Sequence, residues 1–248
     1  MDDNAKAWSE YADEYNTKAT FSSELIHTGL GLAGLSPSAV VKSSISILDI
    51  GCGNGINTAL LAQHAQGDVV GVDPVMRQIR SATDRFAQDN LRFICCELRE
   101  IPKHLSGSYD LIVLFGSIDY IKIDESFFAT LDILSHSNSR CLVSKFHPFW
   151  TTLYGNDIAK EIDNSYFDYE RADKVVFGNS EFVRYHYSLS DYFASFSRHG
   201  WKLMEYTEPK PDLKDASFTY ENYGQDLILQ RRLNKIPMTV VIEFIKER

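Results

Sequence analysis

The sequence has 248 residues, 44% of them hydrophobic, and a formal net charge of −9 from 25 basic and 34 acidic side chains. This length and apolar content predict one sizeable core and a single domain over residues 1–248. No basic run is present, which disfavours a nucleic-acid partner. No apolar stretch approaches the roughly 18 residues that span a membrane, so no membrane partner is expected.

The cysteines and the start of the chain indicate a cytoplasmic protein. Cys52, Cys95, Cys96 and Cys141 lie in or beside strands that we predict to be buried, and none forms a C-x-x-C pair. Reduced thiols of this kind are typical of the cytoplasm. The N-terminus is acidic and does not resemble a secretory signal. The scattered carboxylates and the absence of a spaced histidine pair predict no metal site.

The N-terminal segment is predicted to form a helical cap over residues 1–35. Residues 4–16 place Trp8, Tyr11 and Tyr15 at helical spacing, which gives one aromatic face. Such a face suits core packing as well as ligand contact. A second helix is expected from about residue 22 to residue 32.

An apolar strand over residues 45–50 then runs into a turn with glycines at positions 51, 53 and 55. A helix is predicted to begin near Asn57. The glycines allow a ligand to approach the backbone at the N-terminus of this helix, where free N–H groups attract negative charge. The dinucleotide fingerprint G-x-G-x-x-G requires a third glycine where this chain has Ile56, so NAD is not expected.

The second predicted strand, residues 68–73, ends in Asp73. In a strand–helix–strand unit this carboxylate lies beside the glycine turn and can accept hydrogen bonds from both hydroxyls of a ribose. Asp49, near the end of the first strand, would repel a pyrophosphate. It would attract the sulfonium and ammonium groups of S-adenosylmethionine (SAM).

The pattern D-x-G-x-G-x-G at residues 49–55, followed by V-x-G-V-D at residues 69–73, resembles motif I and its continuation in class I SAM-dependent methyltransferases. The resemblance runs from Trp8 to Ile245. It implies an α/β, Rossmann-like fold with helices on both faces of a seven-stranded, mostly parallel sheet in the order 3-2-1-4-5-7-6. The strands concerned are residues 45–50, 68–73, 91–95, 111–115, 141–146, 201–207 and 238–246.

The resemblance also implies a SAM site at the carboxyl ends of the strands. Glu97 follows the third strand, where the family usually has an aspartate for the adenine amino group. Phe115 ends the fourth strand, which faces the sulfonium in the family. The cofactor-binding residues predicted in this way are Tyr11, Tyr15, Asp49, Gly51, Cys52, Gly53, Asp73, Pro74, Glu97, Leu98 and Phe115.

The acceptor site is expected beyond the fifth strand. His147 follows this strand and could accept a proton from a hydroxyl, an amine or a ring nitrogen, with His186 as the competing candidate. A structural role for His147 is an equal alternative. Residues 148–186 are rich in aromatics and are predicted to form a lid over the acceptor, between core segments 45–147 and 187–248. The predicted substrate-binding residues are Trp150, Tyr166, Tyr185 and Glu208.

The implied function is the transfer of a methyl group from SAM to an oxygen or nitrogen of a small-molecule acceptor, such as a secondary metabolite. One alternative is a tRNA- or protein-modifying methyltransferase, which the acidic charge and the aromatic lid disfavour. A second alternative is a non-catalytic protein that keeps the cofactor pocket. The sequence leaves open the identity of the acceptor, the need for a base, and the choice between monomer and homodimer.

Overall fold

The computed structural model describes residues 3–152, 165–167, 171–211, 216–220 and 235–247. The helices are α1 Asp3–Lys18, α2 Pro37–Val41, α3 Ile56–His64, α4 Met76–Arg85, α5 Ile101–His104, α6 Glu125–Leu134, α7 Pro148–Thr152 and α8 Leu189–Arg198. The strands are β1 Ala19–Phe21, β2 Ile47–Ile50, β3 Val69–Asp73, β4 Leu91–Cys95, β5 Tyr109–Phe115, β6 Ser135–Phe146, β7 Arg171–Phe177, β8 Ser180–His186, β9 Trp201–Thr207, β10 Phe218–Tyr220 and β11 Thr239–Lys246. Within these described ranges, no helix combines the length and the apolar character needed to cross a membrane.

Seven strands form the central sheet in the order β4-β3-β2-β5-β6-β11-β9. Numbered along the chain, its strands lie in the order 3-2-1-4-5-7-6, so the predicted topology is confirmed. The strands from β4 to β6 pair in parallel, and β11 runs antiparallel to both β6 and β9. The carboxyl ends of the parallel strands therefore meet at one edge of the sheet.

Apolar residues bury both faces of this sheet. Ile47 and Val69 pack on one face with residues of α2 and α3. Their chain neighbours Leu48 and Val70 pack on the other face with residues of α5, α6 and α8. Successive side chains of a strand point to opposite faces, so a continuous apolar run is needed when both faces are covered. The expectation of helices on both faces is confirmed.

The second N-terminal helix, expected over residues 22–32, was wrong. That segment is irregular, and Ile26 pairs with Leu35 in an isolated antiparallel bridge. The Asn57 side chain accepts from the His27 N–H at 3.0 Å and donates to the His27 carbonyl at 2.9 Å. The backbone groups are thus bound by partners distant in sequence instead of by a helical ladder. The short helix of this region is α2, with Pro37 in its first turn.

The aromatic region contains a hairpin that its sequence pattern did not predict. Strands β7 and β8 pair antiparallel, from Arg171 opposite His186 to Phe177 opposite Ser180. The Asn4 side chain joins α1 to this hairpin, since it donates to the Val183 carbonyl at 2.8 Å and accepts from the Val183 N–H at 2.7 Å. Residues 153–164 and 168–170 of the predicted lid lie outside the described residues.

The glycine turn meets α3 at Gly55, which has a φ of +79°. A Cβ atom at this position would lie 2.7 Å from the Cβ of Ala82 and 2.7 Å from the Phe93 ring. These contacts are too short for any side chain. Gly107 has a comparable φ of +93°, but a Cβ there would meet nothing within 4 Å. A comparison of substitutions at Gly55 and Gly107 thus distinguishes the cost of backbone strain from the cost of steric overlap.

We expect Gly55→Ala to lower the free energy of unfolding by about 1–3 kcal/mol more than Gly107→Ala does. Both substitutions incur the left-handed backbone cost of about 1–2 kcal/mol, and only the first adds overlap with Ala82 and Phe93. Urea denaturation of the parent and both variants provides the measurement. Equal losses in the two variants would show that the close approach at Gly55 does not constrain the turn.

Candidate cofactor and acceptor site

A cavity of about 950 Å³ is lined by residues at the carboxyl edge of the sheet and by residues of α1. It includes most of the predicted cofactor-binding residues, namely Tyr11, Tyr15, Gly51, Gly53, Asp73, Pro74, Glu97, Leu98 and Phe115. The remaining two, Asp49 and Cys52, line a smaller cavity of about 150 Å³ that shares Gly51, Gly53 and Phe115 with the first. The structure therefore brings the whole predicted set together.

Asp73 joins the end of β3 to the glycine turn. Its Oδ2 accepts from the Gly53 N–H and its Oδ1 from the Val75 N–H, both at 2.9 Å. Burial raises the pKa of this carboxyl to about 6, although the two backbone hydrogen bonds act in the opposite direction. A carboxylate has about four lone-pair directions, so both oxygens keep capacity for further donors from a ligand. The two hydroxyls of a ribose could donate to these free acceptor positions of Asp73.

Asp49 is buried behind the same turn, with 2% of its surface exposed. Its Oδ2 accepts from the Thr58 hydroxyl at 2.7 Å. Burial raises the pKa of Asp49 to about 7; the Thr58 hydrogen bond opposes this change and the charge of Asp73 adds to it. Burial and the same two carboxylates raise the pKa of the Cys52 thiol, which therefore stays protonated. A cation near these carboxylates would stabilise their ionised forms.

Three amide side chains that the sequence analysis did not identify fix α1 over the turn. Asn16 on α1 donates to the Gln78 Oε1 at 3.1 Å and accepts from the Asn54 amide at 2.9 Å. These bonds connect α1 with α4 and with the glycine turn. Tyr11 and Tyr15 of the same helix therefore reach the cavity from a fixed position. These amide residues belong to no recognisable sequence motif, so their role in positioning α1 is evident only in the folded structure.

The ends of β5 and β6 contribute an ion pair to the large cavity. Lys145 and Asp119 both line it, with exposed fractions of 3% and 2%. The Lys145 Nζ lies 3.8 Å from the Asp119 Oδ1, and the Asp119 Oδ2 accepts from the Phe146 N–H at 2.8 Å. Burial lowers the pKa of Lys145 and raises that of Asp119, while each charge opposes the change in the other. A lysine within an apolar strand is the sequence signal that could have identified this pair.

His147 does not border the cavity. Its Nε2 lies 3.0 Å from the Glu208 Oε1, and its Nδ1 accepts from the Phe149 N–H at 3.0 Å. This pattern assigns the ring proton to Nε2, which donates to Glu208. Burial lowers the pKa of His147, with Glu208 acting in the opposite direction. Both ring nitrogens of His147 are thus hydrogen-bonded, Nε2 to Glu208 after β9 and Nδ1 to Phe149 in α7.

His186 and most of the predicted substrate-binding residues also lie outside the cavity lining. The His186 Nδ1 lies 2.8 Å from the Thr151 hydroxyl, and its Nε2 lies 3.0 Å from the Tyr166 carbonyl. Trp150 is buried against Met238. Only Tyr185 of the predicted substrate-binding set lines the large cavity. The catalytic roles of the two histidines and the substrate contacts of Trp150, Tyr166 and Glu208 stay predictions.

No group of three or more His, Cys, Asp or Glu side chains that could hold a metal ion occurs in the described part of the chain.

Comparison with known proteins relates the central part of the chain to a family of domains. Residues 47–134 match the family model described as a methyltransferase domain. A malonyl-[acyl-carrier protein] O-methyltransferase of Acetivibrio thermocellus is 31% identical over 107 residues, which are 43% of this chain and 36% of that protein. The chain covers between 24% and 36% of the length of the curated relatives that it matches.

Solved structures match over nearly the whole chain. A candidate SAM-dependent methyltransferase from Listeria monocytogenes has a TM-score of 0.66 at 17% identity, and the match covers 98% of this chain and 99% of that one. Magnesium protoporphyrin IX methyltransferase from Synechocystis, solved with bound S-adenosylhomocysteine (SAH), has a TM-score of 0.54 at 14% identity, with 99% and 85% covered. At these identities the structures establish the fold. The comparisons thus identify a match to a methyltransferase domain over residues 47–134 and, across the chain, the fold of solved SAM-dependent methyltransferases.

Proposed function

We propose that the protein transfers a methyl group from SAM to an oxygen or nitrogen of a small-molecule acceptor. The observation that carries this proposal is one cavity lined by two different sets of residues. Acidic residues and the glycine turn lie at the ends of β4, β3 and β2, and a buried ion pair lies near the ends of β5 and β6. The first set suits a nucleoside cofactor and the second suits a polar acceptor.

The predicted cofactor residues lie side by side along the carboxyl edge of the sheet, in the order of the strands. Glu97 follows β4, Asp73 ends β3 and Gly51 follows β2, and these strands are neighbours in that order. Glu97 would accept from the adenine amino group, and Asp73 from the ribose hydroxyls. Asp49 would attract the cationic methionine end of the molecule. When bound, SAM supplies an electrophilic methyl group.

An aromatic cover over the cavity supports a small acceptor. Trp8 lies 5.3 Å from the Tyr120 ring and 4.8 Å from the Phe182 ring, measured between centroids. Trp8, Tyr120 and Phe177 also line the cavity. Such a cover excludes water from the reacting atoms and suits a flat or partly apolar molecule. The acidic chain argues in addition against tRNA, whose phosphates require basic contacts.

We expect Asp73→Asn to weaken SAH binding about 10- to 100-fold, because hydrogen bonds between ribose hydroxyls and a charged acceptor are lost. Asparagine keeps one acceptor oxygen, so it retains one of the two hydrogen bonds from the Gly53 and Val75 N–H groups. Asp68→Asn is the matched control, since this exposed residue precedes the opposite end of the same strand. Calorimetry with SAH and with NAD provides the measurement. Parent-like SAH affinity in Asp73→Asn, or NAD binding by the parent, would contradict the cofactor assignment.

The same proteins test the acceptor when they are assayed for SAH formation against a panel of small acids, phenols and amines, with bulk tRNA alongside. The parent and Asp68→Asn should use at least one small acceptor. At subsaturating SAM, Asp73→Asn should lose activity in proportion to its cofactor affinity. Turnover of tRNA at the rate of the best small acceptor would favour the nucleic-acid alternative. SAH binding without turnover of any acceptor would favour the non-catalytic one.

The position of His147 leads us to expect that His147→Ala lowers thermal stability while leaving kcat and the pH–rate profile unchanged. The substitution removes the hydrogen bonds to Glu208 and Phe149, which connect structural elements away from the cavity. Thermal unfolding and steady-state kinetics over pH 5–9 provide the measurement. A fall in kcat of about 10²–10⁴-fold with loss of one limb of the profile would instead establish His147 as the general base.

A further inference from the structure

The Lys145 side chain lines the cavity, and its ammonium has hydrogen-bonding capacity that the described residues do not use. Asp119 is its acidic neighbour, and the separation of 3.8 Å exceeds a hydrogen bond. The buried Arg184 adds a second positive charge nearby. The Tyr192 ring lies 5.3 Å away and contributes its π face. No shorter polar contact of Nζ occurs among the described residues. An ammonium has three donors, so a ligand in the cavity can accept from it.

A buried charge of this kind is costly unless it is paired and hydrogen-bonded. Apolar side chains commonly fill such positions. Two earlier residues of β6, Leu142 and Val143, are apolar and are 5% and 0% exposed. Asp119 offsets part of the cost, and the Phe146 N–H holds this carboxylate in place. Asp119 is thus a fixed counter-charge beside Lys145, at a separation longer than an ordinary hydrogen bond.

The register of the sheet places Lys145 on the acceptor side. Phe115 at the end of β5 lies opposite Ser144 of β6, so Lys145 lies one residue beyond that pair, beside Gly116. The predicted cofactor contacts follow β4, β3 and β2, which lie on the other side of β5. Neighbouring strands are separated by about 4.8 Å. The sulfonium is expected at the end of β5, and Lys145 lies on the next strand, on the side away from the cofactor residues.

We propose that Lys145 binds an anionic oxygen of the acceptor and that the acceptor is a small molecule bearing a carboxylate. This inference rests on the proposed function and narrows its acceptor class. A carboxylate accepts from the ammonium in a charge-assisted hydrogen bond. A protonated amine at the same position would be repelled, and a neutral amide would gain less. The aromatic cover receives the apolar remainder of the molecule.

The test uses the SAH-loaded protein and two flat probes of the same shape, benzoate and benzamide. We expect the parent to bind benzoate at least about 10-fold more tightly, because only the carboxylate forms a hydrogen bond in which both partners are charged. Lys145→Met should remove this preference and leave SAH affinity unchanged. Lys103→Met is the matched control, because it removes the same charge from a side chain that is 71% exposed. Calorimetry at fixed pH and ionic strength measures all affinities.

A buried Asp119 without its partner could destabilise Lys145→Met, so the double variant Lys145→Met/Asp119→Asn repeats the test without the leftover charge. Equal affinity for the two probes in the parent, no binding of either probe, or a benzoate preference that survives both variants would overturn the inference. A parent that binds SAH and methylates amines alone would also overturn it. A parent that does not bind SAH would overturn the proposed function, and this inference with it.

Discussion

The site depends on two carboxylates that the sheet buries beneath the glycine turn. Asp73 holds the turn through the N–H groups of Gly53 and Val75, and Asp49 lies behind it on Thr58. Their pKa values, about 6 and about 7, lie above the ordinary value of 3.8 because of burial. The folded protein therefore holds protons that the unfolded chain has released between about pH 4 and pH 7. Over that range these two groups make the fold less stable as the pH rises.

A cationic ligand compensates for this cost. The sulfonium and ammonium of SAM would bring positive charge to Asp49, and the ribose hydroxyls would donate to Asp73, so that both ionised forms become favourable. The remaining elements hold the ligand against this edge: α1 covers the cavity with Tyr11 and Tyr15, and the hairpin of β7 and β8 supports α1 through Asn4. The part of the cavity where we propose that the acceptor binds contains a buried positive charge instead, that of Lys145. An anionic ligand would compensate for the cost of burying it.

Features encoded locally could be predicted from the sequence. The glycine turn and Asp73 follow from short motifs, and the order of the seven strands was implied by the resemblance to one family. Features set by distant partners could not. Residues 22–32 lack a helix, and their backbone groups bind distant partners, such as Asn57 at His27 and Leu35 at Ile26. The partners of His147 and His186 come from β9 and from the aromatic region, so no local pattern indicates which way the imidazoles point.

The most direct test of the account is the proton balance of SAM binding. Calorimetry near pH 6.5 in buffers of different ionisation enthalpy measures the protons exchanged when SAM binds. We predict a net release of protons, because the bound cofactor lowers the pKa values of Asp49 and Asp73, and a smaller release in Asp49→Asn. Proton uptake, or binding without any exchange in the parent, would contradict the claim that the bound cofactor stabilises the ionised forms of these two buried carboxylates.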